Sequence, residues 1–271
     1  MGLLEFTKMN GNGNDFIIVD NRNGQVEEAD KVELVRKLCL RRVGLGADGM
    51  IFVEKSLQAD VRMDFYNANG SNVKMCGNGL RCFSRFVAEV GICPPMMRVE
   101  TGAGLYLANV DDKQVRLAMP PMEFPRRNLT LAGAPNLCFI TVGVPHAIVF
   151  EPEAWTWTDA KFHAQGKIIR EHKYFTNGTN VNFVSRNKDQ LRVRTFERGV
   201  EGETLACGTG ATASALVASL IYPDLTAPIT VETKGGSLQV GFQRGRDRFI
   251  DVWLQGNALI IARGTIEPDA L

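Results

Sequence analysis

Two cysteines stand in matching settings, Cys76 in Met75-Cys76-Gly77-Asn78-Gly79 and Cys207 in Ala206-Cys207-Gly208-Thr209-Gly210. Each Gly-bearing turn leads into a segment with helical character. A cysteine just before a helix lies where unpaired backbone N–H groups and the helix dipole favour an anion, so its thiol pKa is expected to fall. The flanking glycines let backbone donors approach a bound carboxylate closely. A lone cysteine beside glycine is ordinarily a small core residue; the duplication argues for more. Two such thiols on opposite sides of one carbon could invert a stereocentre, a thiolate removing a proton from one face and a thiol returning one to the other. The α-hydrogen of an amino acid is a very weak acid, so the developing carbanion would be held as an aci-carboxylate by the N–H groups of both helix N-termini. No pyridoxal electron sink is then required. With the carbon about 3 to 3.5 Å from each sulfur, the sulfurs would stand roughly 6 to 7 Å apart around a ligand.

The elements that must position these thiols are themselves repeated. An offset of 131 carries Phe65, Asn67, Cys76, Gly77 and Gly79 onto Phe196, Arg198, Cys207, Gly208 and Gly210. An offset of 132 carries Val99-Glu100-Thr101 onto Val231-Glu232-Thr233, and one of 130 carries Gly13 onto Gly143, each followed by an apolar run. In the first half Leu80, Phe83, Phe86, Val87 and Val90 recur with helical spacing before Gly91, which suits a C-terminal cap. In the second, the stretch from Ala211 to Ile221 is small or apolar all round and is stopped by Pro223. Such a helix must be surrounded. Short strand candidates (Leu191 to Glu197, Ile229 to Thr233, Ser237 to Phe242, Phe249 to Leu254) are bounded by Gly, Asp or Asn. The reading is therefore α+β, with two pseudo-symmetric domains, each a curved mixed sheet or barrel wrapped around a central helix. Pro120-Pro121 and Pro125 mark the crossing, giving domains 1–119 and 120–262, with the closing strand 263–271 joining the first. The two cysteines would then face each other across an interdomain cleft.

Composition narrows the partners. The 271 residues are 45% hydrophobic and 23% charged, within the range of folded domains, and the net charge is +1 without any basic block. Nucleic acid and membrane surfaces are not expected; a small molecule is. The N-terminus lacks a secretory pattern and no apolar run reaches the roughly 20 residues of a bilayer span, so a cytoplasmic location is expected. Six scattered cysteines make neither a disulfide framework nor a Cys-x-x-Cys pair, and His146, His163 and His172 show no ligand spacing, so no metal is expected. Gly44-Leu45-Gly46-Ala47-Asp48-Gly49 fits G-x-G-x-x-G but follows a segment, Glu33 to Arg42, that reads as a helix, whereas a dinucleotide loop must follow a strand. Asn128 and Asn177 fit a glycosylation pattern and read as ordinary loop residues.

Taken together, Asn10-Gly11-Asn12-Gly13-Asn14-Asp15-Phe16, Phe65-Tyr66-Asn67-Ala68-Asn69-Gly70-Ser71, the two cysteine turns, Glu197-Arg198-Gly199 and Gly235-Gly236-Ser237-Leu238 resemble the diaminopimelate epimerase family over essentially the whole chain. Proline racemases share the paired-cysteine plan, but their first turn usually carries His where this chain has Asn78. The resemblance implies interconversion of LL- and meso-2,6-diaminopimelate in lysine and peptidoglycan precursor synthesis, without cofactor, by a homodimer. It makes Cys207 the proton acceptor and Cys76 the donor in the LL-to-meso direction. It implies that Asn14, Asn67, Asn180 and Arg198 hold the substrate, chiefly its distal end, and that Gly77, Asn78, Gly208 and Thr209 surround the reacting carboxylate. His146 and Glu197 would tune the cysteines, Glu197 also lying by the distal amine. A guanidinium binds a carboxylate bidentately, which gives Arg198 a physical reason to read the distal group. Two features depart from the pattern: Val144 stands where many members carry Asn, and the loop Gly199 to Thr204 is one residue longer than usual. Other readings stay open, namely another racemase or dehydratase on this scaffold, a non-catalytic amino-acid-binding module, or a redox protein joining Cys76 and Cys207 in a reversible disulfide.

Overall fold

Asn12 and Gly13 both take positive φ, 54° and 94°, and close a two-residue hairpin between β1 (Leu4–Gly11) and β2 (Asn14–Asp20). Asn-Gly suits this turn because both central residues must occupy the left-handed region. The computed structural model, which describes residues 3–131 and 134–267, separates into one unit of Met1–Leu117 with Gly256–Leu271 and another of Ala118–Gln255.

In the first unit the hairpin is followed by α1 (Glu28–Cys39), β3 (Gly49–Glu54), β4 (Val61–Asn67), the short β5 (Asn72–Val73), α2 (Gly77–Glu89), β6 (Met96–Thr101), β7 (Gly104–Asp111) and β8 (Gln114–Ala118). The second unit contains β9 (Met122–Glu123), β10 (Arg126–Leu131), β11 (Ala134–Val142), β12 (Val144–Phe150), α3 (Asp159–Arg170), β13 (Asn180–Asn187), β14 (Gln190–Glu197), β15 (Gly202–Thr204), α4 (Gly208–Ile221), β16 (Ile229–Thr233), β17 (Gly236–Arg244) and β18 (Arg248–Asn257). β19 (Leu259–Ile266) follows and pairs antiparallel with β1. The return to the first unit thus begins at Gly256 rather than 263, because β19 pairs along its whole length and Ala258 N donates to Lys113 O.

The strand orders correspond one for one. In the first unit β19, β1, β2, β3, β4, β6, β7 and β8 are successive neighbours, and in the second β10, β11, β12, β13, β14, β16, β17 and β18 are. Both sheets are mixed, with parallel pairs at β2/β3 and β4/β6 matched by β12/β13 and β14/β16. The fold is mixed α+β. Ladder partners give a finer equivalence than sequence offsets: Ile51 opposes Phe65 in one unit and Asn182 opposes Thr195 in the other, so the ladder counterpart of Phe65 is Thr195, not Phe196.

Each sheet curls round one helix and carries a second on its other face. Helix α2 touches β19, β1, β2, β3, β4 and β7, and α4 touches β11, β12, β13, β14, β16 and β17. The outer helices α1 and α3 cover separate apolar clusters. The run from Ala215 to Ala218 in α4 is wholly inaccessible. Its hydroxyls are satisfied within the helix, Thr212 donating to Gly208 O and Ser214 to Gly210 O, so the all-buried surface leaves these polar atoms paired. Helix α2 stops where expected: Gly91 has φ 73°, and Ile92 N returns to Val87 O at 2.8 Å. Helix α1 starts earlier and ends earlier than Glu33 to Arg42. Its first turn is anchored by Lys31, 3% exposed, which makes 2.8 Å ion pairs to Glu28, Glu54 and Asp64. Beyond Cys39 the chain turns back, with Gly44 N bonded to Leu40 O and Arg42 at φ 73°. Among the described residues no helix is long and apolar enough to cross a membrane.

Candidate active site

Cys76 is the N-cap of α2 and accepts a hydrogen bond at Sγ from Gly79 N, 3.4 Å away. Its extended backbone, φ −141° and ψ 117°, is what an N-cap requires. Gly77 follows with no positive φ, and a methyl group built on it would meet no protein atom within 4 Å. Neither backbone strain nor packing demands glycine there, so the space is available to a ligand. Asn78 is buried beside it; its Nδ2 donates to Asn14 Oδ1 at 2.5 Å, and Asn14 Nδ2 donates to Asp48 Oδ2 at 3.0 Å. The first cysteine turn and Asn14 thus form one hydrogen-bonded group. Asn67, at the end of β4, bonds instead to Ser71 Oγ, and the adjoining Ala68 N reaches Asp48 O.

Beneath this turn lies Arg81, the largest fully buried side chain of the described residues. Its Nη2 donates to Asn12 Oδ1 and Asn78 Oδ1, each at 2.9 Å, while Nε has no partner among the described residues. Burial lowers its pKa, and the sulfurs of Cys82 and Cys76 are the groups whose charge opposes that shift. A cation stripped of water is costly unless anions face it.

Cys207 is the N-cap of α4, 8% exposed, with Sγ 3.5 Å from Thr209 Oγ1. Gly210 is enclosed: a methyl group there would overlap Asn182 Oδ1 and come within 3.1 Å of Thr195 Oγ1. Asn182 reaches His146 Nδ1 at 3.0 Å, so His146, Asn182 and Thr195 form a network beside the second turn. His146 is wholly buried, and burial with the nearby charge of Arg198 brings its pKa down to about 3. The imidazole is therefore neutral at ordinary pH. Asn180 Oδ1 accepts from Arg198 N at 2.8 Å, and Arg198 Nη1 donates to Asn177 O at 2.8 Å. Burial raises the pKa of Glu197 at the end of β14. The longer loop beyond it is braced by Arg194, which grips Glu203 with Nε and Nη2 at 2.6 and 2.5 Å.

The other four cysteines differ in environment. Burial raises Cys39 and Cys82 to about 12 and pushes Cys93 and Cys138 upward. Cys76 and Cys207 differ from these four in position, each capping the start of a central helix. Among the described residues no group of three or more His, Cys, Asp or Glu side chains could hold a metal ion. Two clefts include no residue of either turn, one lined by Asn128, Cys138, Trp157 and Gln165, another by Glu5, Asp20, Phe86 and Arg263.

Sequence reasoning missed Asp48, Arg81, Asn182 and Thr195. Asp48 sits in the G-x-G-x-x-G stretch set aside as a cofactor loop, where it orients Asn14. Asn180 and Asn182 fall two apart on one strand, on the same face, and both are buried. Two buried asparagines on a core-facing row were the available signal.

The chain is a sheet curled round a helix, built twice with an N-capping cysteine each time. It superposes on a PhzF-family phenazine biosynthesis protein of Bacillus anthracis with TM-score 0.75 at 14% identity, covering 98% of this chain and 100% of that one. The corresponding values for a probable proline racemase from Agrobacterium radiobacter are 0.68 and 17%, with coverage of 97% and 93%. The diaminopimelate epimerase profile matches residues 6–124 and 138–255. Diaminopimelate epimerases of Chlorobaculum tepidum and Methanocella arvoryzae are 43% and 38% identical, the matches covering 95% and 99% of this chain and 99% of each relative. The chain belongs to the diaminopimelate epimerase family, and it is an isomerase.

Proposed function

We propose that the chain interconverts LL- and meso-2,6-diaminopimelate with Cys76 and Cys207 as the two proton-transfer groups and without a cofactor. The observation that carries this reading is that each cysteine caps the central helix at the same place in two duplicated units. With LL substrate, Cys207 thiolate takes the α-proton; the C–H electron pair moves into the carboxylate, held as the aci form by helix N-terminal N–H groups; and Cys76 thiol delivers its proton to the opposite face. Afterwards Cys207 is the thiol and Cys76 the thiolate, and the meso isomer runs the sequence backwards. Gly77, Asn78, Gly208 and Thr209 line the reacting carboxylate. Asn14, Asn67, Asn180, Glu197 and Arg198 bind the rest, Arg198 pairing with the distal carboxylate. His146 and Glu197 adjust the cysteines. We further place the enzyme in the cytoplasm, where its six free cysteines would stay reduced, and assign it a homodimer, in lysine and peptidoglycan precursor synthesis.

The test is incubation with LL-diaminopimelate in D2O without pyridoxal phosphate. Meso product carrying deuterium at the inverted centre is expected. Product without solvent deuterium, or turnover that depends on added pyridoxal phosphate, overturns the mechanism.

A further inference from the structure

His146 Nε2 is buried and makes no hydrogen bond among the described residues, while its Nδ1 meets Asn182 Nδ2. A neutral imidazole carries one N–H, and its neighbours decide which nitrogen bears it. Asn182 is held at three points. Its Oδ1 accepts from Thr195 Oγ1 at 2.9 Å, and its Nδ2 donates to Ala147 O at 3.3 Å and faces His146 Nδ1 at 3.0 Å. Turning the amide over would set Oδ1 against the Ala147 carbonyl, two acceptors without a proton between them. With the amide fixed, Nδ1 must accept, and the ring proton must sit on Nε2.

The duplicated unit shows that the fold has no need of this network. By ladder position the counterparts of His146, Asn182 and Thr195 are Phe16, Ile51 and Phe65, all hydrocarbon. Phe16 and Phe65 meet edge to face at 5.8 Å, and a methyl group on Gly79 would contact Ile51 and Phe16 just where one on Gly210 would meet Asn182 and Thr195. Three packed apolar groups have been replaced by a buried polar chain that still leaves one N–H unsatisfied. A buried polar group without a partner is unfavourable, so that donor is open to a hydrogen-bond acceptor.

We propose that Asn182 is a positioning residue, locking His146 in the Nε2–H tautomer so that a neutral donor is held ready beside the Cys207 turn, stabilising negative charge on that thiol or on bound substrate. The role in catalysis rests on the two-cysteine reading; the tautomer does not.

The experiment uses the full chain labelled with 15N-histidine, carrying His163→Gln and His172→Gln so that His146 alone reports. Two-bond 1H–15N correlations at neutral pH should show Nδ1 unprotonated and Nε2 protonated. In the same background Asn182→Asp offers an acceptor instead of a donor, so a proton should appear on Nδ1 and kcat should fall on the order of a hundredfold, with KM little changed. Asn182→Ile, which copies the first unit, should fold and lose the lock, giving mixed tautomers. An Nδ1–H ring in the parent protein overturns the assignment. So does unchanged kcat in an Asn182→Asp variant whose tautomer has moved, since positioning would then not matter. Epimerisation by Cys207→Ala would instead sink the two-cysteine reading while leaving the tautomer result standing.

Discussion

Helices α2 and α4 occupy the same place in their units, yet their polarity is distributed in opposite ways. Around Gly79 of the first turn the sheet offers Phe16 and Ile51, and the helix itself carries the charge, Arg81 and Arg85. Around Gly210 of the second the sheet offers Asn182 and Thr195 with His146 behind, and the helix carries no charge at all. One half stores a buried cation within its helix; the other stores neutral dipoles within its sheet. The two frames are equivalent in topology and unlike in their interiors. Two like thiols thus stand in chemically unlike surroundings, which act differently on the pKa of each.

The strongest test removes the shared feature. Cys76→Ala and Cys207→Ala should each lower epimerisation on the order of a thousandfold or more, while denaturant midpoints stay close to the parent. A single alanine variant with substantial activity would mean the two halves are not partners in one reaction.

Next comes the cation. Arg81→Met should lower kcat on the order of a hundredfold and move iodoacetamide alkylation of Cys76 to higher pH, leaving that of Cys207 in place. Arg81→Lys keeps the charge but loses the fork to Asn12 and Asn78, so it should recover the alkylation profile more fully than kcat. Equal shifts at both cysteines would erase the asymmetry.

The histidine offers a stability test. Its folded pKa, about 3, lies below its ordinary value of 6.5. The unfolded chain binds the proton more readily, so this contribution is complete above about pH 6.5 and is lost as pH falls from there toward 3, at about 1.4 kcal/mol per unit. His146→Phe, which copies Phe16, should flatten urea-derived stability across that window; an unchanged slope would show that other groups produce it.

The glycines give a smaller effect of opposite character. Gly210→Ala forces a methyl against Asn182 and Thr195 and should cost about 1 to 3 kcal/mol of folding stability. In Gly79→Ala the nearest group is the mobile end of Ile51 at 3.3 Å, and the cost should stay below about 1 kcal/mol, offset by helix propensity. Smallest is Asp48→Asn, which weakens the anchor of Asn14 and should raise KM a few-fold without changing kcat, as measured from initial rates.

The features legible from sequence were those written locally. Gly91 ends α2 and Pro223 follows the end of α4. The cysteine turns could be read because glycine, cysteine and helix start are adjacent. Features that depend on distant partners could not. Lys31 breaks the apolar face of α1 and hides its first turn, because the carboxylates of Glu54 and Asp64 that make its burial tolerable come from β3 and β4. Asn182 likewise reads as a loop-forming residue until the strand 36 positions earlier brings His146 beside it. Apolar periodicity reports what water excludes, and it is blind to a polar side chain whose partner folds in from elsewhere.

The strand at the chain's end has a temporal consequence. In the second unit the leading strand β10 precedes its neighbour β11 in the chain, whereas in the first the same place is filled by β19, made last. On the ribosome, the segment from Ala118 to Gln255 can complete its sheet as soon as it emerges, while the outer edge of β1 stays open until Leu259–Ile266 has followed it. The first unit is begun before the second and closed only after it.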